Sequence, residues 1–208
     1  MRLLSNQILW SISILTLVLG FSFTANAQLS GAYTIDAATA TGGTNYQTFT
    51  AAAAALNSSG VSGAVTFDVV QGTYSERFIL NAITGTSVTN TITFRPAVTN
   101  TAAVILTSAA TGSANNYVIR FNGADYVTVE GLDISNTGTT YCRVIDFLGA
   151  NTNVTLRNNS LTSPITNSTS TLRCVVYNGT GTGNMNNNFT LDGNVLTGGS
   201  YSLYLRGG

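Results

Sequence analysis

Val118–Gly123 reads Val-Ile-Arg-Phe-Asn-Gly, and its form comes back three times. Val144–Gly149 is Val-Ile-Asp-Phe-Leu-Gly, Cys174–Gly179 is Cys-Val-Val-Tyr-Asn-Gly and Ser202–Gly207 is Ser-Leu-Tyr-Leu-Arg-Gly. The closing glycines, Gly123, Gly149, Gly179 and Gly207, stand 26, 30 and 28 residues apart. Self-similarity at such a period signals stacked structural repeats, each of which buries its apolar side only against its neighbours.

Working outward from that stretch, each unit carries two further short apolar runs. The first is Val127-Thr128-Val129, Val154-Thr155-Leu156 and Phe189-Thr190-Leu191. A tight bend follows each, at Glu130-Gly131, Arg157-Asn158 and Asp192-Gly193, and a third run ends at Ile134, Leu161 and Leu196. Three short strands per coil, with one tight bend and two variable connections, describe an all-β, right-handed parallel β-helix of about 26–30 residues per coil. A β-sandwich with as many strands needs hairpins and keeps no such register.

Alternation along each strand separates inside from outside. Aligned on the glycines, Ile119/Ile145/Val175/Leu203 and Phe121/Phe147/Tyr177/Leu205 point inward. So do Val127/Val154/Phe189 and Val129/Leu156/Leu191, while Thr128, Thr155 and Thr190 stack outside. Asn159 and Asn194 fall in register beside the tight bend, where their amides can bond the neighbouring coil.

Upstream, Thr48–Asn57 is the clear helix. Phe49, Ala53 and Leu56 share a face, alanine favours helix, and Asn57-Ser58-Ser59-Gly60 stops it. One helix ahead of a strand repeat fits a cap over the open solenoid end. Val65–Val70 and Phe78–Leu80, joined by Gln71–Glu76, are the first strands expected, and Gln28–Asn45 reads as an extended lead-in. Arg2, the apolar run Ile8–Phe23 and Ala25-Asn26-Ala27 form an export signal cleaved after Ala27. The division is thus 1–27 signal peptide, 28–64 lead-in and capping helix, and 65–208 coils. No later run is apolar and long enough to span a bilayer.

Charged residues are 8% of the chain, every basic residue is arginine, and the formal net charge is zero. Without a basic run, nucleic-acid binding through phosphate neutralisation is excluded. Without histidine or lysine there is no base for a Ser-type triad, and no histidine metal site. Ser, Thr, Asn and Gly make the surface instead, which suits contact with sugars. The Gly179–Gly183 run lacks the lysine and helix of a phosphate loop and reads as a lateral loop.

Val65–Glu76, Val-Thr-Phe-Asp-Val-Val-Gln-Gly-Thr-Tyr-Ser-Glu, after a cap helix, and Gly131–Asn136, Gly-Leu-Asp-Ile-Ser-Asn, resemble the pectin-lyase-like superfamily of right-handed β-helices, as in exported proteins of Bacteroidota-type bacteria. Within that resemblance, methylesterases use two aspartates, an arginine and glutamines outside one sheet, and those motifs are missing here. Pectate lyases use clustered acids around calcium and an arginine base. Calcium takes about six to eight oxygens.

The candidate surface is the outside of the repeated strand: Arg120, Asp146, Val176 and Tyr204, with Arg143 nearby. Arginines beside a carboxylate suit an acidic sugar, and Tyr204 could stack on a sugar ring. The plainer reading is one exposed Arg120–Asp146 ion pair, worth at most about 1 kcal/mol. Glu130 and Asp192, with Arg157 between them, read as a charge ladder rather than a metal site. Cys142 and Cys174 stand offset by two positions on adjacent coils, which disfavours a disulfide unless the register slips. Two cysteines without histidine make no zinc site.

The functional expectation is an exported, non-catalytic β-helix segment of a larger cell-surface or secreted protein, adhesive or carbohydrate-contacting, with no cofactor. The alternative is a polysaccharide lyase whose active coils lie beyond Gly208. Calcium belongs only to that alternative. The partner expected is a polysaccharide or cell-surface glycan.

Overall fold

In a computed structural model, residues 27–179, 183 and 185–206 are described. Residues 1–26, where the export signal is expected, part of the Gly179–Gly183 loop and Gly207 lie outside them.

The elements run β1 (Leu29–Ile35), β2 (Asn45–Tyr46), α1 (Phe49–Ser59), β3 (Val61–Val69), β4 (Gly72–Ser75), β5 (Phe78–Asn81), β6 (Ile92–Pro96), β7 (Val104–Ser108) and β8 (Ile119–Asn122). They continue as β9 (Val127–Glu130), β10 (Asp133–Asn136), β11 (Ile145–Leu148), β12 (Thr155–Arg157), β13 (Ser160–Ile165), β14 (Val176–Asn178), β15 (Thr190–Asp192), β16 (Val195–Gly199) and β17 (Leu203–Leu205). All the pairings are parallel, and from β3 onward every third strand pairs, with β1 set between β3 and β2. Sheet A is β15-β12-β9-β6-β3-β1-β2, sheet B is β16-β13-β10-β7-β4 and sheet C is β17-β14-β11-β8-β5. The chain is therefore a parallel β-helix of about six turns. No helix among the described residues is long and apolar enough to cross a membrane.

The interior is made of columns, because residues paired across parallel strands lie directly over one another. In sheet A, Tyr33, Phe67, Phe94, Val129, Leu156 and Leu191 form one column. Phe67 and Phe94 stack 4.8 Å apart at 14°. In sheet C, Phe121 stacks on Phe147 at 5.2 Å and 17°. Outside sheet A, Thr93, Thr128, Thr155 and Thr190 share one row, as the alternation predicts.

The tight bend from sheet A to sheet B recurs with the same backbone. Gly131, Asn158 and Gly193 take φ of 69°, 54° and 62°, a left-handed region in which glycine and asparagine cost least. A side chain at Gly193 would also meet the end of the Asn158 side chain at 2.3 Å, so a larger residue there would have to displace that amide.

α1 closes the N-terminal end. The Thr48 hydroxyl accepts the Ala51 N–H at 3.0 Å and caps the helix. The Glu76 carboxylate accepts the N–H groups of Phe49 and Thr50 at 2.9 and 2.8 Å, tying the first turn to the β4–β5 connection. Phe49 is fully buried and stacks on Phe78 at 5.5 Å. The cap thus sits on the first layer of the core.

Three expectations are corrected. The lead-in is not merely extended, since β1 and β2 add two strands to sheet A. Gln71–Glu76 is not only a connection, since β4 lies within it. Most consequentially, β14 pairs Val176 with Ile145 and Leu203, Tyr177 with Asp146 and Tyr204, and Asn178 with Phe147 and Leu205. Tyr177 therefore faces out and Val176 faces in, the reverse of the glycine-based alignment. One residue fewer separates strand from glycine in that coil, and a one-residue slip turns every side chain over. Asn178 takes the inward place above Phe147. Phe189 reaches across from sheet A to pack edge-on against Phe147 at 4.7 Å.

Candidate functional site

The outside of sheet C reads Ile79, Arg120, Asp146, Tyr177 and Tyr204 along one row. Arg143 enters this row from the segment just before β11. Arg120 Nε donates to Asp146 Oδ2 at 2.7 Å and Arg143 Nη1 donates to Oδ1 at 3.1 Å. Sequence reasoning brought these three residues to one place, and the structure joins them as a single network.

Their setting differs from the exposed pair expected. The side chain of Asp146 is 5% exposed, and those of Arg120 and Arg143 are 15% and 12% exposed. Two lateral 3₁₀ turns, Ser113–Asn115 and Thr171–Arg173, lie over the row. Arg120 Nη1 donates to the Ala114 carbonyl and Arg143 Nε to the Thr171 carbonyl, at 3.3 and 2.9 Å. Arg120 also lies over the Tyr117 ring, 4.2 Å from its centre. Burial pushes the Asp146 carboxyl above its ordinary value, with Arg120 and then Arg143 pulling the other way. Both carboxylate oxygens are engaged, so Asp146 is a clamp between coils rather than a free base.

Beyond the clamp the row becomes aromatic. The Arg143 guanidinium lies 3.3 Å from the centre of the Tyr177 ring, a close cation–π contact. Tyr177 and Tyr204 stack at 5.5 Å and 8°. Tyr201 leans on Tyr204 at 5.5 Å, and Arg206 lies 5.7 Å from the Tyr204 ring centre. Tyr177 and Tyr204 are partly exposed, and Tyr201 and Arg206 are exposed. The surface candidates Arg120, Asp146, Arg143 and Tyr204 are thus divided between a covered network and an accessible stack.

Tyr177 and Tyr117 were missed. The signal for Tyr177 was its likeness to Tyr204 one coil on, which outweighs the position of a glycine. Nothing in the spacing marked Tyr117, because it comes from a lateral connection of variable length.

Elsewhere the expectations for charge hold. Arg157 pairs with Glu130, and Asp192 follows on the next strand, so opposite charges alternate outside sheet A. Arg95 and Asp68 repeat the pattern at 2.8 Å. Among the described residues no group of three or more acids or cysteines is placed to hold a metal ion. Cys142 and Cys174 are buried and free, and burial pushes the Cys174 thiol up, against the pull of a Ser200 hydrogen bond.

Compared with protein-family models, curated proteins and solved structures, the chain matches none. The likeness to the pectin-lyase-like superfamily therefore rests on its short motifs, and what stands is the architecture of a parallel β-helix.

Proposed function

We propose that the chain is a non-catalytic β-helix segment of a larger exported protein, a rigid surface or secreted stalk that contacts glycans through the C-terminal part of sheet C. The Tyr177–Tyr204 stack carries this reading. Its two phenol rims stand side by side at the coil spacing, with Tyr201 and Arg206 beside them. Tyrosine offers a rigid, amphipathic contact area with few torsions to freeze, and here the torsions are already fixed by stacking. Arg206 adds planar hydrogen-bond donors. Asp146 cannot readily serve as a base while two guanidiniums hold its oxygens.

The test is retention of the mature chain in gels loaded with a panel of soluble polysaccharides. At least one glycan should retard it, and Tyr177→Ala with Tyr204→Ala should weaken that retardation by about tenfold, or 1.4 kcal/mol. Retention by no glycan, or retention unchanged in the double variant, overturns the proposed contact surface. Calcium-dependent release of unsaturated, ultraviolet-absorbing products from uronate polymers would overturn the non-catalytic reading in favour of a lyase.

A further inference from the structure

Arg77 stands apart from the other arginines among the described residues. Arg95, Arg120, Arg143 and Arg157 are each ion-paired. Arg173 donates to the Thr166 hydroxyl, and Arg206 lies near the Tyr204 ring. The Arg77 guanidinium has no hydrogen-bond or ion-pair partner among the described residues, and it lines a groove of about 370 Å³ between α1 and β5.

The chemistry of that groove is one-sided. Ala53, Ala54 and Ile79 supply an apolar floor. The Asn81 side-chain oxygen Oδ1 accepts from the Asn122 side-chain amide at 2.8 Å, and the Asn57 side-chain amide spans the Ile79 carbonyl and the Asn81 backbone N–H, each at 2.9 Å. The spare capacity is therefore in donors: the Arg77 fork and the Asn81 amide hydrogens. Glu76, the nearest acid in the chain, has both oxygens engaged at the start of α1. Tyr117 forms a further wall, and its ring carries the Arg120 guanidinium.

We propose that this groove binds a small organic carboxylate, with Arg77 gripping the carboxylate by two parallel N–H···O bonds and the alanine–isoleucine floor taking the body of the ligand. Guanidinium and carboxylate match in plane and spacing, and such charge-assisted pairs are about twice as strong as neutral hydrogen bonds. The volume suits a unit the size of one sugar or one amino acid. This site lies at the opposite end of sheet C from the tyrosine stack and does not depend on it.

Two acids serve as probes, D-glucuronate and N-acetylalanine, each beside its uncharged counterpart, D-glucose and N-acetylalaninamide. Amide NMR of the mature chain reads the binding. At least one acid should shift resonances of Thr50–Asn57, Arg77–Asn81 and Tyr117, with its neutral counterpart at least about tenfold weaker. Whichever acid binds identifies the source of the carboxylate. Arg77→Gln should abolish the preference for the acid. Ala54→Trp, which fills the groove and leaves Arg77 in place, should abolish binding, and Tyr204→Ala should change neither. Failure of both acids, equal binding of the neutral compounds, or acid preference persisting in Arg77→Gln would each overturn the proposal.

Discussion

Asn159 shows how single residues hold neighbouring coils in register. It is 1% exposed, and its side chain bonds in both directions along the axis. The amide oxygen accepts the Leu132 N–H at 3.0 Å, and the amide nitrogen donates to the Val129 carbonyl at 2.9 Å and to the Asn194 oxygen at 3.0 Å. Asn194 in turn donates to the Leu156 carbonyl at 2.7 Å. These side chains satisfy backbone groups that the tight bend removes from the sheets, and a buried group left without a partner costs about 1–3 kcal/mol. Asn159→Ala should therefore lower stability by roughly 2–4 kcal/mol, since more than one partner is orphaned. Asn167→Ala, at an exposed position in the connection after β13, should cost under about 0.5 kcal/mol. Urea-unfolding midpoints compare the two. Equal losses would mean that the ladder is incidental to the fold.

At the scale of elements, α1 depends on a contact that its own sequence does not contain. Thr48 caps one N–H, while Glu76, 27 residues from Phe49 in the chain, takes two more and places a negative charge at the positive end of the helix. Thr48→Ala should cost about 1 kcal/mol. Glu76→Ala should cost more, about 2–3 kcal/mol, because it orphans two N–H groups and removes a favourable charge. It should also speed hydrogen exchange at Phe49 and Thr50 without touching sheet B. The helix, the strand count per coil and the rows of threonine and asparagine were legible in sequence, because each follows from local alternation at a fixed period. The place of Tyr177 was not, because the glycine used as a marker sits one residue closer to its strand in that coil. Nor was the covering of Asp146 legible. It depends on the lateral turns at Ser113–Asn115 and Thr171–Arg173, whose lengths vary and carry no periodic signal.

For the whole molecule, stacking makes stability a one-dimensional quantity. Each coil gains from its neighbours, and a coil with a neighbour on only one side gains about half as much. The N-terminal end is closed by α1 and by the cluster of Tyr33, Tyr46 and Phe67, whose ring centres lie 5.7–5.8 Å apart. At the other end, β15, β16 and β17 each pair on one side alone among the described residues. Leu203 and Leu205 are 45% and 48% exposed, whereas Ile119 and Phe121 in the same columns are at 0%. In the 208-residue chain taken by itself, local opening should therefore begin at β15–β17 and travel toward α1. Hydrogen exchange should be fastest in β15–β17 and slowest in β6 and β9, which are flanked on both sides. Leu156→Ala, at a fully buried position, should cost about 2–5 kcal/mol and raise exchange throughout. Leu203→Ala should cost under about 1 kcal/mol and raise it in the last coil alone. Uniform protection from β3 to β17, or equal effects of the two substitutions, would show that the coils fold as one indivisible unit.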